Sequence, residues 1–163
     1  MNLSNFFQFD SVLGHIFVIS TAKGVSRIIF GRDNFNRFMN SLNGVKLTKG
    51  GEAESSAREV RLYLEGKLKK FHASLDLSSG TPFQTSVWRE LLQIPYGEVE
   101  TYGEIAKRIG NPSAARAVGN AVGANPIPII VPCHRVVATK GLGGYSSGIE
   151  IKKKLLQIER VIR

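Results

Sequence analysis

The chain has 163 residues, 42% of them apolar, which suits one compact unit or two small subdomains with a real core. It has no apolar run of the about 18 residues a membrane span needs, and one cysteine, which excludes an internal disulfide or a cysteine-rich zinc site; the stretch Met1-Asn2-Leu3-Ser4-Asn5-Phe6-Phe7 lacks the basic and apolar regions of a signal peptide, so a reducing, cytoplasmic setting without membrane contact is expected. Twenty-two Lys and Arg against thirteen Asp and Glu leave a net charge of +9, which favours a polyanion through counterion release but does not by itself separate DNA from RNA or an anionic membrane.

The first half reads as a small sheet with a helix. Residues 15–19 and 25–30 are rich in β-branched and aromatic side chains, and Thr21-Ala22-Lys23-Gly24 between them predicts a hairpin. A short helix is expected to begin near Arg37, ahead of the turn-rich Asn40-Ser41-Leu42-Asn43-Gly44, and Gly50-Gly51 reads as a loop. Ser56 and Glu59 have capping-box spacing, so a helix is expected from there to Leu64, stopped by Gly66, with Ala57, Val60 and Leu64 inward. Residues 67–77 alternate loosely and read as a strand joining the hairpin. His15 and His72 lie in these patterns without a partner motif and read as packing or surface residues.

A new pattern begins near residue 79, placing the subdomain boundary at 1–78 and 79–163. Thr81, Pro82 and Gln84 form a helix start, with Phe83, Val87, Leu91 and Ile94 at helical spacing and Trp88 packed beside them. Thr101 and Glu104 open a helix over 102–109, and Ser113 is expected to cap another over 114–123, after the break Gly110-Asn111-Pro112. Two short helices around such a turn read as helix-turn-helix. The second is dominated by small residues, including Ala115 and Gly119, as close approach by a facing helix or a sugar-phosphate backbone requires; Arg116 is its one long side chain. The glycine-rich stretch 139–148 lacks the Walker lysine spacing and suits a planar ligand better than a nucleotide phosphate. Ser147 and Glu150 are expected to cap the last helix, with Ile151, Leu155 and Ile158 inward and Lys152-Lys153-Lys154 facing water.

The rest of the chain is organised around residues 125–137. Pro126, Pro128 and Pro132 fix φ and remove donors, predicting a stiff extended segment bent just before Cys133. The sole cysteine is followed by His134, and a thiol needs a nearby base or positive charge to become a nucleophilic thiolate.

Asn125-Pro126 followed by Pro132-Cys133-His134-Arg135-Val136 resembles the signature of the O6-alkylguanine-DNA alkyltransferases, and the similarity runs from about Pro82 to Glu159. The resemblance implies an α+β fold: a ribonuclease H-like N-terminal subdomain with a small antiparallel sheet, then a helical subdomain bearing the helix-turn-helix and active-site loop. It implies repair by irreversible transfer of an alkyl group from O6-alkylguanine, and by extension O4-alkylthymine, in double-stranded DNA to Cys133. Base flipping, single turnover, a monomer, and neither metal nor organic cofactor go with that reading. Cys133 would be the nucleophile, His134 its base through a water, and Glu159 the residue orienting His134. Asn125 would support the thiolate, and Tyr102 would donate to a ring nitrogen of the leaving base. Val136, Tyr145 and Ser146 would contact the base, while Arg116, with Tyr102, Ala115 and Gly119, would face the DNA. Two rivals stay open: a cysteine hydrolase, which no oxyanion-hole motif supports, and a non-catalytic sensor of alkylated DNA, which would dispense with the cysteine.

Overall fold

The computed structural model describes residues 2–163, in two units that meet in sequence between Ser79 and Gly80. In the first, strands β2 (Gly14–Thr21) and β3 (Gly24–Phe30) form the expected antiparallel hairpin, Ile16 opposite Phe30 and Thr21 opposite Gly24. A strand not foreseen, β1 (Leu3–Ser11), pairs antiparallel with the other edge of β2. Its Phe6-Phe7 doublet breaks the two-residue alternation, and only Phe9 is buried. A two-residue β4 (Thr48–Lys49) then adds parallel to β1, so the sheet is mixed, in the order β3-β2-β1-β4. The expected strand over 67–77 is absent. Val25 bonds to the backbone of Ser74 and Asp76 (2.9 and 2.7 Å), and only Leu75 forms a bridge there.

Helix α1 (Arg32–Ser41) starts well before Arg37, and its Phe35 stacks on Phe17 of the sheet at 3.9 Å. Helix α2 (Gly51–Leu64) packs on β1, β2 and β3 and buries Ala53, Ala57, Val60 and Tyr63. It begins at Gly51, so Ser56 is not its cap but a buried interior residue. Glu59 instead accepts the backbone N–H groups of His72 and Ala73 (2.9 and 3.2 Å). At the other end Gly66 takes φ +74°; its N–H meets the Tyr63 carbonyl and that of Lys67 the Leu62 carbonyl, a Schellman ending.

In the second unit the two threonine capping boxes form as read. Thr81 and Gln84 start α3 (Pro82–Leu91); Thr101 and Glu104 start α4 (Tyr102–Arg108). Val87, Trp88, Leu91 and Ile94 are buried, but Phe83, in the first turn of α3, is 37% exposed. Trp88 Nε1 donates to the Ala121 carbonyl (2.8 Å), which fixes α3 against α5 (Ala115–Gly123). Ser113 does not cap α5; its hydroxyl donates to Asn111 instead, and Ala114 sits at the helix start. Arg108 ties α4 to the acids Glu90 and Glu100. A short parallel pair, β5 (Glu100–Thr101) with β6 (Val136–Val137), places the start of α4 beside the cysteine segment. The last helix, α6 (Ile149–Ile158), starts behind Gly148 at φ +104°, with no side-chain cap from Ser147. No helix among the described residues is long and apolar enough to cross a membrane.

Candidate active site

Residues 125–132 are wound into turns rather than extended, and the cause is Asn125. Its side chain accepts from the Ile127 N–H (2.9 Å) and donates to the Val131 carbonyl (2.8 Å), clasping both ends of the loop. Within the clasp Ile129 holds φ +76°, a strained conformation for a β-branched residue. The chain leaves this loop through Pro132 into a 3-10 turn, Cys133–Arg135. Cys133 is 4% exposed and His134 wholly buried, so both belong to the interior.

Behind the cysteine lies a buried ionic cluster. His134 Nε2 donates to Glu159 Oε1 at 2.7 Å, which assigns the ring proton to Nε2 and the lone pair to Nδ1. Arg135, which the sequence reading did not assign to the site, approaches the same carboxylate through Nε (3.0 and 3.1 Å) and Nη2 (2.8 Å). Its Nη1 donates to the Ile94 carbonyl (2.7 Å), and the Gly97 N–H completes the set on Glu159 at 3.1 Å. A carboxylate so fully bonded is a poor proton acceptor, so its role is to hold and stabilise rather than to remove the proton. Burial holds His134 below its ordinary value, with Glu159 opposing and Arg135 and Lys152 reinforcing the shift.

Lys152 is the largest departure from expectation. It does not face water with Lys153 and Lys154 but is fully buried, donating to the carbonyls of Val136 (2.7 Å) and Gly144 (2.9 Å). Its spacing from Leu155, Leu156 and Glu159, all buried, was the available signal: these positions share one helical face. Ile151 and Ile158 are only half-buried. Burial lowers the Lys152 ammonium to about 8, against an opposing attraction from Cys133. Burial likewise raises the Cys133 thiol; hydrogen bonds from Asn125 and Tyr145 and the charge of Lys152 pull it back. Tyr102 is raised by burial and by Cys133, with a compensating hydrogen bond from the Gly144 N–H.

Beside the thiol opens a pocket of about 240 Å³, lined by Tyr102, Gly119, Val122, Gly123, Gly144, Tyr145 and Ser146. The structure therefore brings together Tyr102, Tyr145, Ser146 and Gly119, which are far apart in sequence. Gly143 makes this wall possible: it holds φ +72°, and a Cβ there would sit 3.1 Å from the Tyr102 hydroxyl. Cys133, His134 and Glu159 form the buried layer behind it, with half-buried Asn125 at its edge, while Val136 joins that layer through the bond to Lys152. Arg116 and Ala115 do not line the pocket. Arg116 is exposed and Ala115 half-buried, both at the start of α5.

The chain is similar to known proteins along most of its length. Residues 82–161 match the family model described as 6-O-methylguanine DNA methyltransferase, DNA binding domain. The chain is 56% identical over 105 residues to a methylated-DNA–protein-cysteine methyltransferase of Methanosarcina acetivorans, covering 64% of this chain and 67% of that one. It is 41% identical over 158 residues to the inducible methylated-DNA–protein-cysteine methyltransferase of Bacillus subtilis, covering 96% and 84%. The crystal structure of Mycobacterium tuberculosis OGT in complex with DNA superposes with a TM-score of 0.80 at 40% identity, over 96% of this chain and 92% of that one. A likeness of about 40% identity that extends along nearly the whole length establishes that the chain belongs to the methylated-DNA–protein-cysteine methyltransferase family.

Proposed function

We propose that the protein repairs DNA by moving the alkyl group of O6-alkylguanine onto Cys133, once per molecule, acting as a monomer on duplex DNA. The observation that carries this reading is the buried thiol next to Tyr145, a wall residue of a pocket of about 240 Å³ that can take one planar base. In a duplex the O6 substituent is stacked away from solvent, so the nucleotide must leave the helix before reaction. The relative solved in complex with DNA supports a DNA partner, and the +9 charge supplies the long-range attraction.

His134 would take the thiol proton at Nδ1, through a water, while Glu159 stays ionised and stabilises the imidazolium. The thiolate would then attack the alkyl carbon, forming the S–C bond as the C–O6 bond breaks and its electron pair returns to the base. Tyr102 would donate toward a ring nitrogen, and Tyr145 and Ser146 toward O6; the base finally carries the proton that the thiol lost. Val136 would meet the exocyclic amine with its carbonyl, and Asn125 would hold the segment and the sulfur. Arg116, flanked by Ala115 and Gly119, would fill the gap left in the stack. The thioether has no good leaving group, so the protein would not turn over.

Incubation with O6-benzylguanine followed by peptide mass mapping tests the reading. One benzyl group on Cys133 is expected. A hydrolase or a non-catalytic sensor would leave the protein mass unchanged.

A further inference from the structure

We propose that Arg108 is a positioning residue for alkyl transfer, tying the strand that leads into Tyr102 to the same end of α3 that holds the cysteine turn. This rests on the reading of Tyr102 and Cys133 as the groups that act on the base. A lone surface ion pair contributes little, but Arg108 is bonded through all three of its side-chain nitrogens. Nε donates to the Glu90 carboxylate (3.0 Å), Nη2 to the Glu90 main-chain carbonyl (3.1 Å), and Nη1 to the Glu100 carboxylate. Three elements therefore meet at one guanidinium: α4, the last turn of α3, and β5. Its rigid planar fork fixes their relative position, which a single flexible charge would not.

The other half of the site is held from the same place. Arg135, in the cysteine turn, donates to the Ile94 carbonyl just beyond α3 (2.7 Å). Two arginines thus refer the thiol and the Tyr102 strand to one common anchor. Glu100 is paired with Val136, whose own N–H bonds back to the Cys133 carbonyl, so β5 sits directly beside the nucleophile. Helix α4 is only seven residues long, and its capping box closes on Thr101 and Glu104 within its own first turn. Ile105 and Ala106 are buried, but apolar packing is non-directional. The directional bonds that set its register come from Arg108. The Glu100 carboxylate points the same way: its Oε2 is shut off from solvent and has no hydrogen-bond partner. A buried acceptor left open is costly, and without Arg108 it would draw β5 toward water and Tyr102 with it.

Three variants test this. Arg108→Met removes the whole link, and Glu100→Met removes its β5 end while leaving Arg108 paired with Glu90. Arg108→Lys keeps the charge and spares the fold but replaces the fork by one ammonium. In each, the rate of Cys133 benzylation by O6-benzylguanine is divided by its rate with iodoacetamide at the same pH. Both reagents need the thiolate, so changes in thiol acidity cancel, but only the first needs Tyr102 in place. The ratio is expected to fall roughly 10- to 100-fold, the scale of a small misplacement of a catalytic group. The double variant Arg108→Met, Glu100→Met is expected to fall no further than Arg108→Met alone, because both changes break one link. A merely structural role would lower the melting temperature and leave the ratio at its wild-type value, which would overturn the proposal, as would additive losses in the double variant. If the wild type reacts with iodoacetamide but accepts no benzyl group, the alkyl-transfer reading fails instead. Amide hydrogen exchange then decides the role of Arg108: it is expected to quicken across 100–102 in Arg108→Lys, and unchanged protection there overturns the tie.

Discussion

Arg135 and Glu159 form a buried ion pair in which the guanidinium Nε reaches both carboxylate oxygens and Nη2 reaches one, at 2.8 to 3.1 Å. The pair joins the turn that carries Cys133 to the C-terminal end of α6, with His134 as a third member. Removing one partner of a buried pair strands the other charge. Arg135→Met is therefore expected to lose about 3–5 kcal/mol of stability, measured by urea unfolding. A loss under about 1 kcal/mol would mean the pair is effectively solvated.

Acid should destabilise the fold through His134 before it reaches the carboxylates. Burial depresses this histidine below its unfolded value near 6.5. The unfolded chain thus binds a proton that the folded chain refuses, and stability falls as pH drops from 6.5 toward the folded value. Unfolding free energies at pH 7, 6 and 5 should decline in the wild type and decline less in His134→Asn. Parallel slopes would remove His134 as the source.

The residues read correctly from sequence were those whose partners are local. Thr81 with Gln84 and Thr101 with Glu104 need only three residues of chain to satisfy each other, and both boxes formed. Ser56 with Glu59 has the same spacing and failed, because Glu59 serves the backbone of a distant segment and Ser56 lies inside a longer helix. Lys152 escaped notice for a related reason. In Lys152-Lys153-Lys154 composition says water, while the helical phase shared with Leu155, Leu156 and Glu159 turns the first lysine inward. Arg135 was visible in the motif, but its three-way bonding depends on the end of α6 arriving beside it. Tyr102, Tyr145 and Ser146 are named, like Cys133, through the resemblance; the wall that these three share depends on the fold.

Gly143→Ala should impair the pocket more than the fold. A side chain at φ +72° costs about 1–2 kcal/mol, and its Cβ would press on Tyr102 at 3.1 Å. The rate with O6-benzylguanine is expected to drop roughly 10- to 100-fold, with the melting temperature lowered by only a few degrees, on the order of 1–2 kcal/mol. An unchanged rate would show that the wall can shift without consequence.

Arg116 is exposed at the start of α5, outside the pocket. If it helps extrude the base, Arg116→Ala should slow repair of O6-methylguanine in a duplex by at least about tenfold, near 1.4 kcal/mol. Reaction with free O6-benzylguanine, which needs no extrusion, should stay at the wild-type rate. Equal losses on both substrates would give Arg116 a structural role.

The most direct test is the stoichiometry of transfer. A time course with excess duplex carrying radiolabelled O6-methylguanine should plateau at one methyl group per protein, all of it on Cys133 by peptide mapping. Cys133→Ser should transfer none, because a serine hydroxyl is far harder to deprotonate than a thiol. Continued transfer beyond one equivalent, or label on any residue other than Cys133, would contradict the account.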